Sequence, residues 1–165
     1  MTSTMRFNVW ETTLGTHATQ TTEIAPAYSQ INKIAGQTFS SGHQNILWDE
    51  IVNNKNITLS SNQIAFSYAG VYSISLGMRV GNVADDSWTG INVFHPGTNT
   101  IIARSYGTGH VTNDPGPINF SLLVNITEAN SPYQIRLYRA SGTLVQGTPD
   151  VQAGRAIVAT IFKVG

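Results

Sequence analysis

The chain has 165 residues and a mass of 17.8 kDa, room for one domain with a sizeable core and no more. Charged side chains make up only 11%, nine basic and nine acidic, which argues against a nucleic-acid partner whose affinity comes from clustered Lys and Arg. Cysteine is absent, so a disulfide framework, a thiolate zinc site and a cysteine nucleophile are all excluded. Thr, Ser and Asn account for 47 residues, a composition of strands and turns rather than helices. Met1–Glu11 lacks the charged and apolar regions of a secretory leader, and no apolar run approaches the roughly 18 residues that a membrane span needs. The expectation is a soluble all-β protein without a membrane partner.

In chain order, residues 1–25 read as an arm and residues 26–165 as a single folded domain. The arm holds eight threonines and only Phe7, Val9, Trp10 and Leu14 as sizeable apolar groups. It is too polar to build a core of its own, so it is expected to dock on a partner protein through those four side chains. An edge strand packed on its own domain is the alternative.

From about Ala27 onward, apolar residues alternate with polar ones and turn residues punctuate the runs. Ile64, Phe66 and Tyr68 alternate first. After Ala69-Gly70, the residues Tyr72, Ile74, Leu76, Met78 and Val80 resume the alternation. Ile91 and Val93 end at His95-Pro96-Gly97, and Ile101 to Tyr106 end at Gly107-Thr108-Gly109. Phe120, Leu122, Val124 and Ile126 form the most regular run, with Leu123 on the opposite face. Tyr133, Ile135 and Leu137 end at Ser141-Gly142. Short strands at this spacing predict a sandwich or jelly roll, with Phe66, Tyr72, Ile74, Phe120, Leu122 and Leu137 between its sheets.

The last strand, Arg155 to Lys163, is apolar on both faces. Ile157, Ala159 and Ile161 lie on one side and Ala156, Val158 and Phe162 on the other. Such a strand must be covered on both. One face meets the opposing sheet, and the other calls for a neighbouring subunit or a covering loop. Leu123, Ile157, Ala159 and Ile161 are therefore the expected subunit-interface residues.

Catalytic patterns are scarce. His17, His43, His95 and His110 sit in Gly-, Pro- or Thr-rich segments without a second metal ligand at helical or strand spacing. Ser41-Gly42 and Ser141-Gly142 form no G-x-S-x-G elbow. Asp85-Asp86 lacks the D-x-D-x-D-G calcium loop, and Asp114 and Asp150 lie in Pro-containing turns. A calcium site assembled from several loops stays open. Gly107 to Gly109 is too short for a phosphate loop. Neither enzymatic activity nor a cofactor is expected.

One pattern points further. Asn45-Ile46-Leu47-Trp48-Asp49, then Ile57-Thr58-Leu59, then Ile64-Ala65-Phe66-Ser67-Tyr68-Ala69-Gly70-Val71-Tyr72-Ser73-Ile74 resembles the C1q/TNF-like jelly-roll family. That family shows a W-D strand, an apolar I-T-F strand, and A-G-x-Y-x-I entering the next strand. The late strands through Ile135-Arg136-Leu137 and Phe162 fit the same order, so the resemblance covers about Ala27 to Gly165. It implies a ten-stranded β-sandwich that assembles as a homotrimer and binds partners rather than catalysing. A collagen-like stalk is missing, and the family's calcium ligands match no position here. Cysteine-free, Thr/Asn-rich versions of the fold look like those of bacteriophage virions, made in the host cytoplasm and placed at fibre heads or on capsids.

Two functions follow. In one, the chain is a structural protein of a virion, docked through its arm on a major capsid or tail protein. In the other, it is a module that binds a host-surface glycan or receptor through loops carrying Trp88, His95, Tyr106 and His110. Loop aromatics offer a sugar an apolar platform with a polar handle. Trp88 packed inward at a strand start is the alternative for that residue.

Overall fold

The computed structural model describes residues 25–80, 88–107, 116–140, 144–145 and 156–165. The arm residues Phe7, Val9, Trp10 and Leu14, together with His17, Asp85, Asp86, His110, Asp114 and Asp150, lie outside the described residues. Among the described residues every regular element is a strand. The elements are β1 (Tyr28–Lys33), β2 (Thr38–Phe39), β3 (Gly42–Asn45), β4 (Glu50–Lys55), β5 (Ile57–Ser60), β6 (Gln63–Phe66) and β7 (Gly70–Val80). They continue with β8 (Thr89–His95), β9 (Thr100–Gly107), β10 (Gly116–Ile126), β11 (Pro132–Arg139), β12 (Leu144–Val145) and β13 (Ile157–Lys163).

Two sheets face each other. The first has the order β10-β7-β13-β1-β4 and the second β5-β6-β11-β8-β9, with β3 also paired to β11. With β3 the two sheets hold eleven strands among the described residues, roughly the ten expected of a jelly roll, and β2 with β12 forms a separate two-stranded ladder. Every pairing is antiparallel.

The sequence alternation maps directly onto the space between the sheets. Phe66, Tyr72, Ile74, Phe120, Leu122 and Leu137 are all buried, so the strand register read from the pattern is correct. Tyr68 departs from it: the strand ends at Phe66, and Tyr68 is exposed in the following turn. Its carbonyl accepts a 2.7 Å hydrogen bond from the Tyr72 hydroxyl. Burial, and secondarily the nearby Tyr68, push the Tyr72 phenol up to about 12.

The abundance of asparagine has a local use. Among the described residues six non-glycine residues have positive φ, and five of them are Asn: Asn53, Asn56, Asn62, Asn99 and Asn130. Asparagine tolerates this region better than most L-residues. Ser61 and Asn62, with φ of 48° and 62°, close the two-residue hairpin between Ser60 and Gln63, the conformation that matches strand twist.

The final strand corrects one expectation. Ile157, Ala159 and Ile161 are wholly buried within a single chain, in the core cluster with Leu76 and Ile74. They face the opposing sheet and have no surface left for a neighbouring subunit. The outward side of the strand carries Val158, Thr160 and Phe162, and of these Phe162 is exposed. Leu123, at 66% exposure, does point outward as its parity predicts.

Candidate functional site

β8 explains how a surface site is built. All seven of its residues are buried, so it is covered on both faces. Ile91 and Val93 point into the core. Gly90, Asn92 and Phe94 point the other way, and the neighbouring strands supply their cover. Gly90 pairs with Tyr106 of β9 on one side and Tyr138 of β11 on the other, and Tyr138 pairs with His43 of β3. A row of three rings thus crosses four strands with a glycine as its floor.

The glycine is required there. A Cβ on Gly90 would lie 2.8 Å from Tyr106 Cδ1 and 2.7 Å from the Ser105 carbonyl oxygen, so the missing side chain lets the tyrosine ring lie over the backbone. Tyr106 and Tyr138 meet edge to face at 6.2 Å between centroids, and His43 lies 4.7 Å from Tyr138. Both spacings fall within the range of favourable aromatic contacts.

The next row is cationic. Arg104, Asn92, Arg136 and Asn45 stand side by side through the same pairings. The Arg136 guanidinium carbon sits 3.3 Å from the Phe94 ring centroid, a close cation–π contact. Its Nε donates to Asn45 Oδ1 at 2.8 Å and its Nη2 to Gln134 Oε1 at 2.8 Å, which fix the fork in place. Arg104 is exposed, and its Nη1 donates a long 3.4 Å bond to the Tyr106 hydroxyl. Asn92 Nδ2 donates to His43 Nδ1 at 2.9 Å. Burial against the sheet, and then the charges of Arg104 and Arg136, hold the His43 ring below its ordinary value. The neutral ring is accordingly the favoured form.

Trp88 completes the arrangement. It immediately precedes β8, and its carbonyl accepts a 3.0 Å hydrogen bond from the Ala140 N–H, which ties its backbone to the end of β11. Its side chain is 62% exposed, so it is not packed inward. Trp88, Tyr106, Tyr138 and Ala140 line an open cleft of about 390 Å³, within the size range of small-molecule sites.

The structure therefore brings together two of the four proposed ligand-binding residues, Trp88 and Tyr106, and adds Tyr138. It removes His95 from that group. His95 ends β8 at the far end from Trp88, is 6% exposed, and packs edge-on against Tyr133 at 4.8 Å. Its Nε2 lies 3.1 Å from Glu128 Oε2, so it is a buried structural group and not a loop side chain. His110 lies outside the described residues. The sequence did hold a signal for Tyr138. Arg104-Ser105-Tyr106 and Arg136-Leu137-Tyr138 share one R-x-Y spacing, which puts a cation and a ring on the same face of two strands.

The first sheet offers a different surface. Register places Leu123, Ser73, Phe162 and Tyr28 side by side across β10, β7, β13 and β1. Leu123, Phe162 and Tyr28 are exposed at 66%, 51% and 40%. The next row of the same face is polar and uncharged: Ser121, Ser75, Thr160 and Gln30, with the two serine hydroxyls 3.1 Å apart. At the β4 edge, Asn32 Nδ2 donates to Glu50 at 2.6 Å. Among the described residues no group of three His, Cys, Asp or Glu is placed to hold a metal ion.

No protein-family model and no curated protein sequence matches the chain. Solved structures do match it. Crystal structures of murine APRIL at pH 8.5, 8.0 and 5.0 superpose with TM-scores of 0.55, 0.57 and 0.58. Each is 8% identical, and each match covers 85% of this chain and 100% of the other. The chain therefore has a TNF-like jelly-roll fold. At that identity the likeness speaks to the fold alone.

Proposed function

We propose that the chain is a non-enzymatic homotrimeric structural protein of a bacteriophage virion, carried on the capsid or at a fibre head. The observation that carries the trimer is the exposed apolar row Leu123–Phe162–Tyr28, which crosses four strands beside an uncharged row. Full burial of a Leu or Phe side chain is worth about 1.5–3 kcal/mol, and a rotationally symmetric assembly repeats that gain at every interface. The C1q/TNF-like resemblance implies the same assembly. The virion role is supported by composition: a cysteine-free, Thr/Asn/Ser-rich chain with 11% charged residues, preceded by a polar arm with a few large apolar groups.

Deletion of residues 2–24 tests the docking role. The shortened protein is expected to keep its strand circular dichroism and its oligomeric mass, yet to be missing from purified particles. A shortened protein that joined particles normally would contradict arm-mediated docking.

A second reading, a module for a host-surface glycan or receptor, is favoured by one observation. The cleft at Trp88, Tyr106 and Tyr138 is aromatic and open, with both tyrosines on strands.

A further inference from the structure

We propose that this cleft binds a saccharide carrying a carboxylate, with the sugar ring stacked on Trp88 and Tyr106 and the acid group paired to Arg104. The inference rests on the second reading above and gives it a ligand class. Three properties of the surface point to that class.

The first is the lining. Trp88, Tyr106 and Tyr138 present broad apolar rings with an indole N–H and two phenol hydroxyls at their edges. A sugar has the complementary surface, a patch of C–H groups ringed by hydroxyls. The cleft is open, which suits a ring laid flat against aromatic side chains.

The second is charge. β3, β8, β9 and β11 together carry three arginines and no aspartate or glutamate. In a chain with equal numbers of acids and bases, that is a local cationic field. Arg139 faces inward and is buried, which leaves Arg104 and Arg136 on the outer face. Arg136 is held on Phe94, Asn45 and Gln134. The exposed Arg104, bonded only weakly to the Tyr106 hydroxyl, has a planar fork that matches a carboxylate. Two cations beside three rings are too few for a nucleic-acid track, which draws its affinity from many phosphate contacts.

The third is rigidity. Tyr106 rests on Gly90 and meets Tyr138 edge to face, Tyr138 packs against His43, and the Trp88 carbonyl is tied to Ala140. A platform held this way loses little side-chain entropy when it receives a ligand.

The test uses the full chain and tryptophan fluorescence titration with sialyllactose and a galacturonic acid trimer, each beside a neutral counterpart, lactose and a galactose trimer. The expected result is saturable quenching by at least one acidic sugar at millimolar concentration, and binding about tenfold weaker for its neutral partner. Arg104→Gln should erase most of that preference while neutral-sugar binding persists. Trp88→Ala, at an exposed position, should lose binding about tenfold or more with an unchanged melting curve. Because Trp88→Ala also removes a reporter, its binding is read by saturation-transfer NMR on the sugar protons. Any of three results overturns the proposal: no acidic sugar binds at millimolar concentration, acidic and neutral sugars bind alike, or Trp88→Ala binds like the parent. A protein that binds the acidic sugar while monomeric contradicts the trimer and not the cleft; a trimer that binds neither sugar contradicts the cleft and not the trimer.

Discussion

His43 shows how a surface residue takes its chemistry from a sheet. Its Nδ1 accepts from the Asn92 amide, and burial, with Arg104 and Arg136 nearby, disfavours the imidazolium. The folded state therefore prefers the neutral ring. The stability it contributes is complete above the unfolded pKa of about 6.5 and declines as pH falls through that value toward the lower folded one. An NMR titration should place the His43 midpoint below that of a model histidine, and Arg104→Gln should raise it; a midpoint at or above the model value would refute this. Phe120 gives the core counterpart. It is buried between the sheets, and Phe120→Ala should cost about 3–5 kcal/mol in denaturant unfolding. Residue roles were unevenly legible in the sequence. Alternation identified Phe120 because burial follows parity. It misplaced His95, because a Pro-Gly turn after a histidine resembles a loop, whereas its ring docks on Tyr133, a neighbour distant in sequence.

At the scale of elements, β7 and β13 show why one short motif is informative. Ala69-Gly70-Val71-Tyr72 opens β7 with Gly70 at a φ of 138°. A Cβ there would overlap the Gly165 carbonyl oxygen and crowd the Lys163 side chain. The same corner is bonded through Val71 N–H to Gly165 O at 2.8 Å and Val164 N–H to Val71 O at 2.8 Å. Glycine is needed both for the backbone angle and for the approach of the C-terminal segment. Gly70→Ala should destabilise by about 1–3 kcal/mol, seen as a lower denaturant midpoint with an unchanged slope; an unaltered midpoint would show that the corner relaxes freely. The faces of β13 were legible in part. Its two apolar sides were evident, but which of them meets the core depends on pairing with β7 and β1, and that pairing is not contained in the strand's own sequence. Register with Leu76 and Ile74 turns Ile157, Ala159 and Ile161 inward. Ile161→Asp would consequently bury a charge and unfold the domain, so it cannot report on subunit contacts.

The whole molecule reduces to two sheets with different outer faces. The β3-β11-β8-β9 side is aromatic and cationic, and the β10-β7-β13-β1 side carries little charge and one apolar row. The fold was largely legible, because period-two alternation, Asn turns and the A-G-x-Y corner are local signals. The surfaces were less so, because each is assembled from residues on three or four strands whose adjacency only the topology supplies. Leu123 was visible from parity, but Tyr28 and Phe162 fall into its row only through the pairings of β7, β13 and β1. Three exposed apolar side chains in one row across a sheet face form the surface a symmetric assembly would cover. Multi-angle light scattering of the full chain at micromolar concentration tests this directly, beside a Leu123→Asp/Phe162→Asp variant altered only at outward positions. The account predicts three times 17.8 kDa for the parent, and for the variant a folded species at the single-chain mass with unchanged strand circular dichroism. A parent protein that runs as a stable 17.8 kDa monomer, or a variant that keeps the trimeric mass, would contradict it.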